Sequence, residues 1–207
     1  PGGMNRKAER TEAARGNSTT FEHLTKQEMA QVLHSQDRDL ADALFRAARE
    51  TRQQVQGNAI FAYGFVFFST YCRNNCNFCY FRSDNAIDRY RKSEEDVLKL
   101  SKQLVDSGVN LIDLTMGEDT RLHADRVETV IRIVRALKRD YGTSVMISPG
   151  VVSPDVIDRL AEAGADFYAL YQETHNRALF QTLRIGQDYD ERMQAKLYAK
   201  QKGMWIE

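Results

Sequence analysis

Four times along this chain the same unit recurs: an amphipathic helical stretch, a glycine, then a short apolar run. The glycines are Gly108 before Leu-Ile-Asp-Leu-Thr115, Gly142 before Ser-Val-Met-Ile-Ser148, Gly164 before Asp-Phe-Tyr-Ala-Leu170, and Gly203 before Met-Trp-Ile206. A glycine at a helix end fits the left-handed C-cap, where a missing Cβ removes the steric penalty. The helices feeding these turns carry Val97, Leu100 and Leu104, then Val127, Val130, Ile131, Val134 and Leu137, then Val156, Ile157 and Leu160, at helical intervals. Ser153-Pro154 gives the third an N-cap and a proline at its first position. Strands that alternate with crossover helices form a parallel sheet, so the fold class is α/β.

A charge-free run at residues 59–69, rich in aromatic and β-branched residues, precedes the first of these units. It reads as a strand buried on both faces, which brings the count to five. Within the second strand Leu111, Asp113 and Thr115 share a face, as do Ser144, Met146 and Ser148 within the third. Polar residues alternating with apolar ones in parallel strands point to a (β/α) barrel with a polar lumen rather than a doubly wound sheet. The fifth strand begins at Gly203 and the sequence stops at Glu207, so the expectation is the N-terminal part of a longer barrel. Residues 1–20 lack apolar period and read as a disordered or expression-derived leader. Residues 21–57 read as two helices, the first opened by a Thr25/Glu28 capping box and the second striped by Leu40, Ala43, Leu44 and Ala47. Residues 58–207 then form the partial barrel.

Composition matters chiefly for what it excludes. Lys+Arg 29 balance Asp+Glu 29 over 207 residues, which argues against a nucleic-acid surface. No run approaches the roughly 20 apolar residues that span a bilayer, so no membrane partner is expected. The three cysteines, an odd number, are Cys72, Cys76 and Cys79, in Thr70-Tyr-Cys-Arg-Asn-Asn-Cys-Asn-Phe-Cys-Tyr80. A disulfide scaffold would be paired and spread along the chain, so a thiolate metal site in a reducing compartment, the cytoplasm, is the better reading.

The loop falls at the C-terminal end of the first strand, where barrel enzymes place their chemistry. Three thiolates on one tight loop can bind three irons of a cubane and leave the fourth iron open. The competing reading is a structural zinc module, but zinc prefers a two-residue gap in its first cysteine pair and a nearby histidine. His23, His34, His123 and His175 are all distant in sequence.

Cys-x3-Cys-x-aromatic-Cys resembles the radical S-adenosylmethionine superfamily, with Phe78 at the aromatic position. The resemblance implies a [4Fe-4S] cluster whose open iron chelates the amino and carboxylate groups of S-adenosyl-L-methionine and cleaves it to a 5′-deoxyadenosyl radical. Tyr80 falls where the family's backbone meets adenine. Met116-Gly117-Glu118-Asp119 resembles the superfamily's Gly-Gly-Glu element with Met in place of the first glycine, making Gly117 and Glu118 cofactor-site candidates. An acid there would pair with the cofactor's ammonium, beside exposed backbone carbonyls. Glu118 could otherwise be the first-turn carboxylate of a helix. Ser148, ending the third strand, is a further cofactor candidate. Glu173 and Arg192 resemble the acid and arginine that the biotin-synthase-like branch uses for the cofactor's ribose or amino group and its carboxylate, and Arg184 is a weaker candidate of the same kind.

The phrases Phe-Phe-Ser-Thr-Tyr-Cys, Asp-Leu-Thr-Met-Gly-Glu-Asp, Met-Ile-Ser-Pro-Gly and Ala-Leu-Tyr-Gln-Glu-Thr resemble the methylornithine synthase family of pyrrolysine biosynthesis, from about residue 24 onward. That resemblance implies a mutase that isomerises L-lysine to (3R)-3-methyl-D-ornithine, served by an unidentified electron donor. Another biotin-synthase-like or hydrogenase-maturase-like enzyme would share the cofactor residues. An enclosed lumen must supply carboxylates for the ammonium groups of an amino-acid substrate, because an unpaired buried charge is costly. Asp113, on the polar face of the second strand, is the candidate; its plainer alternative is a strand carboxylate bonded to neighbouring backbone. The resemblance places further substrate ligands on later strands.

Overall fold

The computed structural model describes residue 21 and residues 24–207; the leader expected over 1–20 lies outside them. The chain divides between Ile60 and Phe61 into two compact units. The first carries α1 (Lys26–His34) and α2 (Arg38–Gln56). The capping box forms as expected: Thr25 Oγ1 accepts from the Glu28 N–H at 3.2 Å, and the Glu28 carboxylate accepts from the Thr25 N–H at 2.9 Å. Asp37 caps α2 by accepting from the backbone N–H groups of Asp39 and Leu40.

The second unit is built on five parallel strands: β1 (Tyr63–Ser69), β2 (Leu111–Met116), β3 (Ser144–Ser148), β4 (Phe167–Tyr168) and β5 (Trp205–Ile206). Their spatial order is their sequence order, β1-β2-β3-β4-β5. A doubly wound sheet reverses its strand order and carries helices on both faces; an unbroken sequential order is the path of a (β/α) barrel wall. The connecting helices are α3 (Glu94–Asp106), α4 (Thr120–Ala124), α5 (Glu128–Tyr141), α6 (Pro154–Glu162), α7 (Arg177–Leu183) and α8 (Tyr189–Gln201). The four repeat glycines all have positive φ. Gly142 ends α5 in the left-handed region and donates its N–H to the Lys138 carbonyl at 3.0 Å.

Register sorts the strand side chains into two faces. Phe65 pairs with Asp113, Asp113 with Met146, Met146 with Phe167, and Phe167 with Trp205, so these residues share the inner face. The other face, with Val66, Phe68, Ile112, Leu114, Val145, Ile147 and Tyr168, packs against Val97, Ile131, Val134, Leu137, Ile157 and Leu160 of the helices. The stripes expected on α3, α5 and α6 therefore do pack into this core, with Leu100 and Leu104 partly buried at its edge, whereas the Leu40, Ala43, Leu44, Ala47 stripe of α2 contributes no buried residue.

The charge-free run behaves differently from expectation. Only Tyr63–Ser69 is strand, and burial alternates along it. Tyr63, Phe65 and Phe67 are 46%, 49% and 39% exposed on the inner face, while Val66 and Phe68 are buried beneath the helices. Hydrophobic composition set the strand, but which faces are covered depends on what packs there. On the inner side Phe65 meets Tyr63 and Phe67 ring to ring, at centroid distances of 5.1 and 5.8 Å. A smaller buried group of Leu111, Met146 and Ala169 lies on the same side.

Candidate functional site

The cysteine loop leaves the C-terminal end of β1, as expected. Just beneath it, Ser69 Oγ donates to the Asp119 carboxylate at 2.5 Å, and the guanidinium of Arg91 donates to both Asp119 oxygens at 2.7 Å. Asp119 is fully buried, and it also caps α4 by accepting from the Arg121 N–H at 3.0 Å. Burial alone would push its pKa up, but Arg91, Ser69 and the Arg121 N–H together hold it below the usual carboxylate range. The helix carboxylate of this turn is thus Asp119, and Glu118 precedes the cap.

Arg89 closes the loop across its mouth. Its guanidinium donates to the carbonyls of Thr70 at 2.6 Å, before the first cysteine, and of Phe81 and Arg82 at 3.0 and 2.6 Å, after the last. One side chain therefore ties together the two ends of the segment holding Cys72, Cys76 and Cys79. On the other flank the loop is pinned to α7, where the Asn77 N–H donates to the Leu183 carbonyl and Asn77 Nδ2 to that of Thr182.

Gly117 and Glu118 meet this loop directly. The Arg73 N–H donates to the Glu118 carbonyl at 3.0 Å. A Cβ on Gly117 would overlap the Tyr71 carbonyl oxygen and come within 2.8 Å of Cys72 Cβ, so the turn approaches the cysteine backbone as only glycine permits. The Glu118 carboxylate is buried and engaged: it accepts from Arg73 Nε at 3.0 Å and the Val151 N–H at 3.3 Å, with Arg192 Nη1 at 3.5 Å. Glu118, the acid expected beside a cofactor ammonium, here joins the cysteine loop, the turn after β3 and α8, because two guanidinium groups lie within its reach.

Glu173 and Arg192 do not pair with each other. Glu173, held at positive φ beyond β4, accepts from Arg184 Nη2 at 2.7 Å. The two arginines converge on one acceptor, the Tyr171 carbonyl, at 2.5 Å from Arg184 and 2.7 Å from Arg192. Arg192 is buried, and its pKa is pulled down to about 10 by that burial and by Arg184 beside it. Arg184 also lies over the Phe78 ring, 5.4 Å from its centroid. The backbone carbonyl of Tyr80 accepts from Asn85 Nδ2 at 2.8 Å, while its ring is exposed.

Along the inner wall, both oxygens of Asp113, Thr115 Oγ1 and Ser148 Oγ are buried and have no hydrogen-bond partner among the described residues. Asp113 is 1% exposed. Burial pushes its pKa up to about 6; the Thr115 side chain opposes the rise and Glu207 adds to it. The backbone-bonded alternative for this carboxylate is not realised. Tyr171 is pushed up to about 12 by burial, with Asp113 and Glu207 contributing. Buried polar groups nearly always find partners, and this row, like the Nε atoms of Arg184 and Arg192, has none among the described residues.

Cys76 is buried, while Cys72 and Cys79 are half-buried. Burial raises the Cys72 thiol, offset in part by backbone donors at Asn74 and Glu118. Among the described residues no three His, Cys, Asp or Glu side chains form a group that could hold a metal ion. A zinc site would need its thiolates about 2.3 Å from one point, whereas thiolates bound to separate corners of a cubane do not converge on a single ion.

Residues 66–206 match the radical SAM superfamily. The chain belongs to that family. The cofactors of a radical SAM protein are a [4Fe-4S] cluster and S-adenosyl-L-methionine, and the residues described here suit them: three thiols on a closed loop, glycine at the tightest approach, and partnerless polar atoms beside it. The radical SAM chain is 38% identical over 184 residues to the 3-methylornithine synthase of Methanosarcina barkeri, covering 89% of this chain and 52% of that protein. It is 30% identical over 180 residues to the [FeFe] hydrogenase maturase subunit HydE of Thermotoga maritima, covering 86% of this chain and 51% of that one. The crystal structure of methylornithine synthase (PylB) superposes with a TM-score of 0.83 at 38% identity, covering 88% of this chain and 54% of that chain. The chain thus spans about half the length of the curated relatives it matches. No described helix is long and apolar enough to cross a membrane.

Three residues that carry this site lie outside the sequence expectations: Arg89, Arg91 and Asp119. Arg89 donates to backbone carbonyls, which any residue presents, so no side-chain pattern could have flagged it. Asp119, immediately before a helix, did carry a capping signal.

Proposed function

We propose that this chain is the cofactor-binding half of a methylornithine synthase, which isomerises L-lysine to (3R)-3-methyl-D-ornithine without net redox change. The observation that carries the reading is the 38% identity over 89% of the chain to a 3-methylornithine synthase, against 30% to the hydrogenase maturase relative. In this reading the cluster and S-adenosyl-L-methionine, when bound, supply the 5′-deoxyadenosyl radical that abstracts hydrogen from the substrate. Cys72, Cys76 and Cys79 are the iron ligands, on a loop held closed by Arg89. Gly117 brings the backbone of the second strand's turn against that loop, and Glu118 orients Arg73 and Arg192 rather than offering a free carboxylate. Arg184, Arg192 and Glu173 face the cofactor as a charged set, with Ser148 as a neutral donor at the end of β3.

Asp113 is proposed as the partner of a substrate ammonium. A carboxylate held at a pKa of about 6, with no hydrogen-bond partner among the described residues, is raised by its own desolvation, and a cation placed beside it would reverse that rise. Residues 58–207 are proposed as the catalytic barrel segment. A loop of three free thiols calls for a reducing compartment, and we propose the cytoplasm. An external one-electron donor is required to reduce the cluster. The test is turnover of L-lysine by a full-length version under anaerobic, reducing conditions, with product detected by mass. Methylornithine is the expected product. Formation of 5′-deoxyadenosine without it would overturn the mutase reading in favour of the maturase-like one.

A further inference from the structure

Gln187 sits two residues before the start of α8, in a position that none of the proposed roles uses. Its side-chain oxygen accepts from Arg192 Nη1 at 3.1 Å and from Arg184 Nη1 at 3.4 Å, while its nitrogen lies 3.0 Å from Cys76 Sγ. The orientation of the amide follows from chemistry. Guanidinium groups only donate, so the oxygen must face the two arginines, and the NH2 group is left pointing at the sulfur. Both arginines are themselves anchored on the Tyr171 carbonyl, and Arg184 also on Glu173. The amide therefore has little freedom to swing away. Arg184 Nη1 is a second donor to the same sulfur, at 3.7 Å, and Cys76 is the most buried of the three cysteines. Among the described residues no side chain donates to Cys72 or Cys79.

We propose that Gln187 is a positioning residue that sets the reduction potential of the cluster through the Cys76 sulfur. The inference rests on the reading of Cys76 as an iron ligand. Hydrogen bonds to cluster sulfurs are among the levers that fix potential. A donor stabilises the state in which the sulfur carries more negative charge, which is the reduced one, so Gln187 raises the potential and eases one-electron reduction. The two arginines make the amide a stronger donor by polarising its oxygen.

The test compares this chain with Gln187→Met, which keeps the length of the side chain without a donor, and Gln187→Glu, which keeps an acceptor for both arginines but offers the sulfur no N–H. Gln194→Met, on the exposed side of α8, is the control. Each protein is reconstituted anaerobically with ferrous iron and sulfide, its iron content is measured, and it is titrated with dithionite in the presence of mediators while the reduced cluster is followed by electron paramagnetic resonance. At the wild-type midpoint, Gln187→Met is expected to lower the ratio of reduced to oxidised cluster about tenfold, which is ~59 mV for a one-electron couple. Gln187→Glu shifts the same way and the control does not. Variants with wild-type iron content that titrate with the wild type overturn the inference, as does loss of iron from both when Gln194→Met retains it. Failure of the wild type itself to take up a cluster would instead overturn the assignment of the cysteines.

Discussion

Replacing Asp113 with asparagine should make the protein more stable as the pH rises, relative to the unmodified chain. The carboxyl of Asp113 is almost wholly removed from solvent, and neither of its oxygens has a hydrogen-bond partner among the described residues. Its pKa rises from 3.8 to about 6, with burial as the first cause. At about 1.36 kcal/mol per pH unit, ionising it in the folded chain costs about 3 kcal/mol. The sign follows from proton counts: between pH 3.8 and about 6 the folded state holds the proton more tightly than the unfolded state, so stability falls as pH rises through that window. Asparagine does not titrate. The stability of Asp113→Asn minus that of the wild type should therefore grow by about 2 kcal/mol between pH 4.5 and pH 8. A buried amide without partners carries its own cost, but that cost is independent of pH. The slope of the difference is the test, measured by urea unfolding of the cofactor-free protein at several pH values. A flat difference, or one that falls with pH, would refute the claim that Asp113 is a desolvated, unpartnered acid awaiting a cation.

Two further expectations concern the frame beneath the cysteines. Asp119→Ala removes the buried member of the ion pair, taking from Arg91 its carboxylate partner and from the Ser69 hydroxyl its acceptor, at a cost of about 3 kcal/mol in urea unfolding at pH 7. The folded-state pKa of Asp119 is depressed, so this difference is full above the unfolded value of about 3.9 and closes as pH falls through the folded one. Gly117→Ala drives a methyl group into the Tyr71 carbonyl and Cys72 Cβ. Overpacking of this kind costs about 1–3 kcal/mol, and because the obstacle is the cysteine backbone itself, iron uptake on reconstitution should fall more sharply than stability.

Much of the architecture was legible because local rules and tertiary packing agree. Gly108, Gly142, Gly164 and Gly203 needed positive φ, and they have it. The alternation Leu111, Asp113, Thr115 and Ser144, Met146, Ser148 resolved into a single inner face because parallel pairing keeps register across β2 and β3. Other features were not legible. The run at 59–69 contains no charged residue, and both of its faces are dominated by large apolar side chains, so the exposure of Tyr63, Phe65 and Phe67 had no clear local signal. Helix α7 was missed, being a short segment between β4 and α8 whose seven residues bury only Phe180. In the site, residue types were readable but partners were not. Glu173 lay nineteen residues from Arg192 and eleven from Arg184, and only the turn beyond β4 selects the nearer one.

Cysteine spacing, strand alternation and helix stripes are short-range properties of a chain, and they sufficed for the α/β class, the parallel order and the thiol loop. The partners of each charge were decided by folding. Glu118 became a junction, Asp113 was buried with no hydrogen-bond partner among the described residues, and Gln187 came to face Cys76 from 111 residues away. Electrostatic pairing is chosen among groups brought together through space, and burial, which sets the cost of leaving one unpaired, exists only once the chain has closed around it.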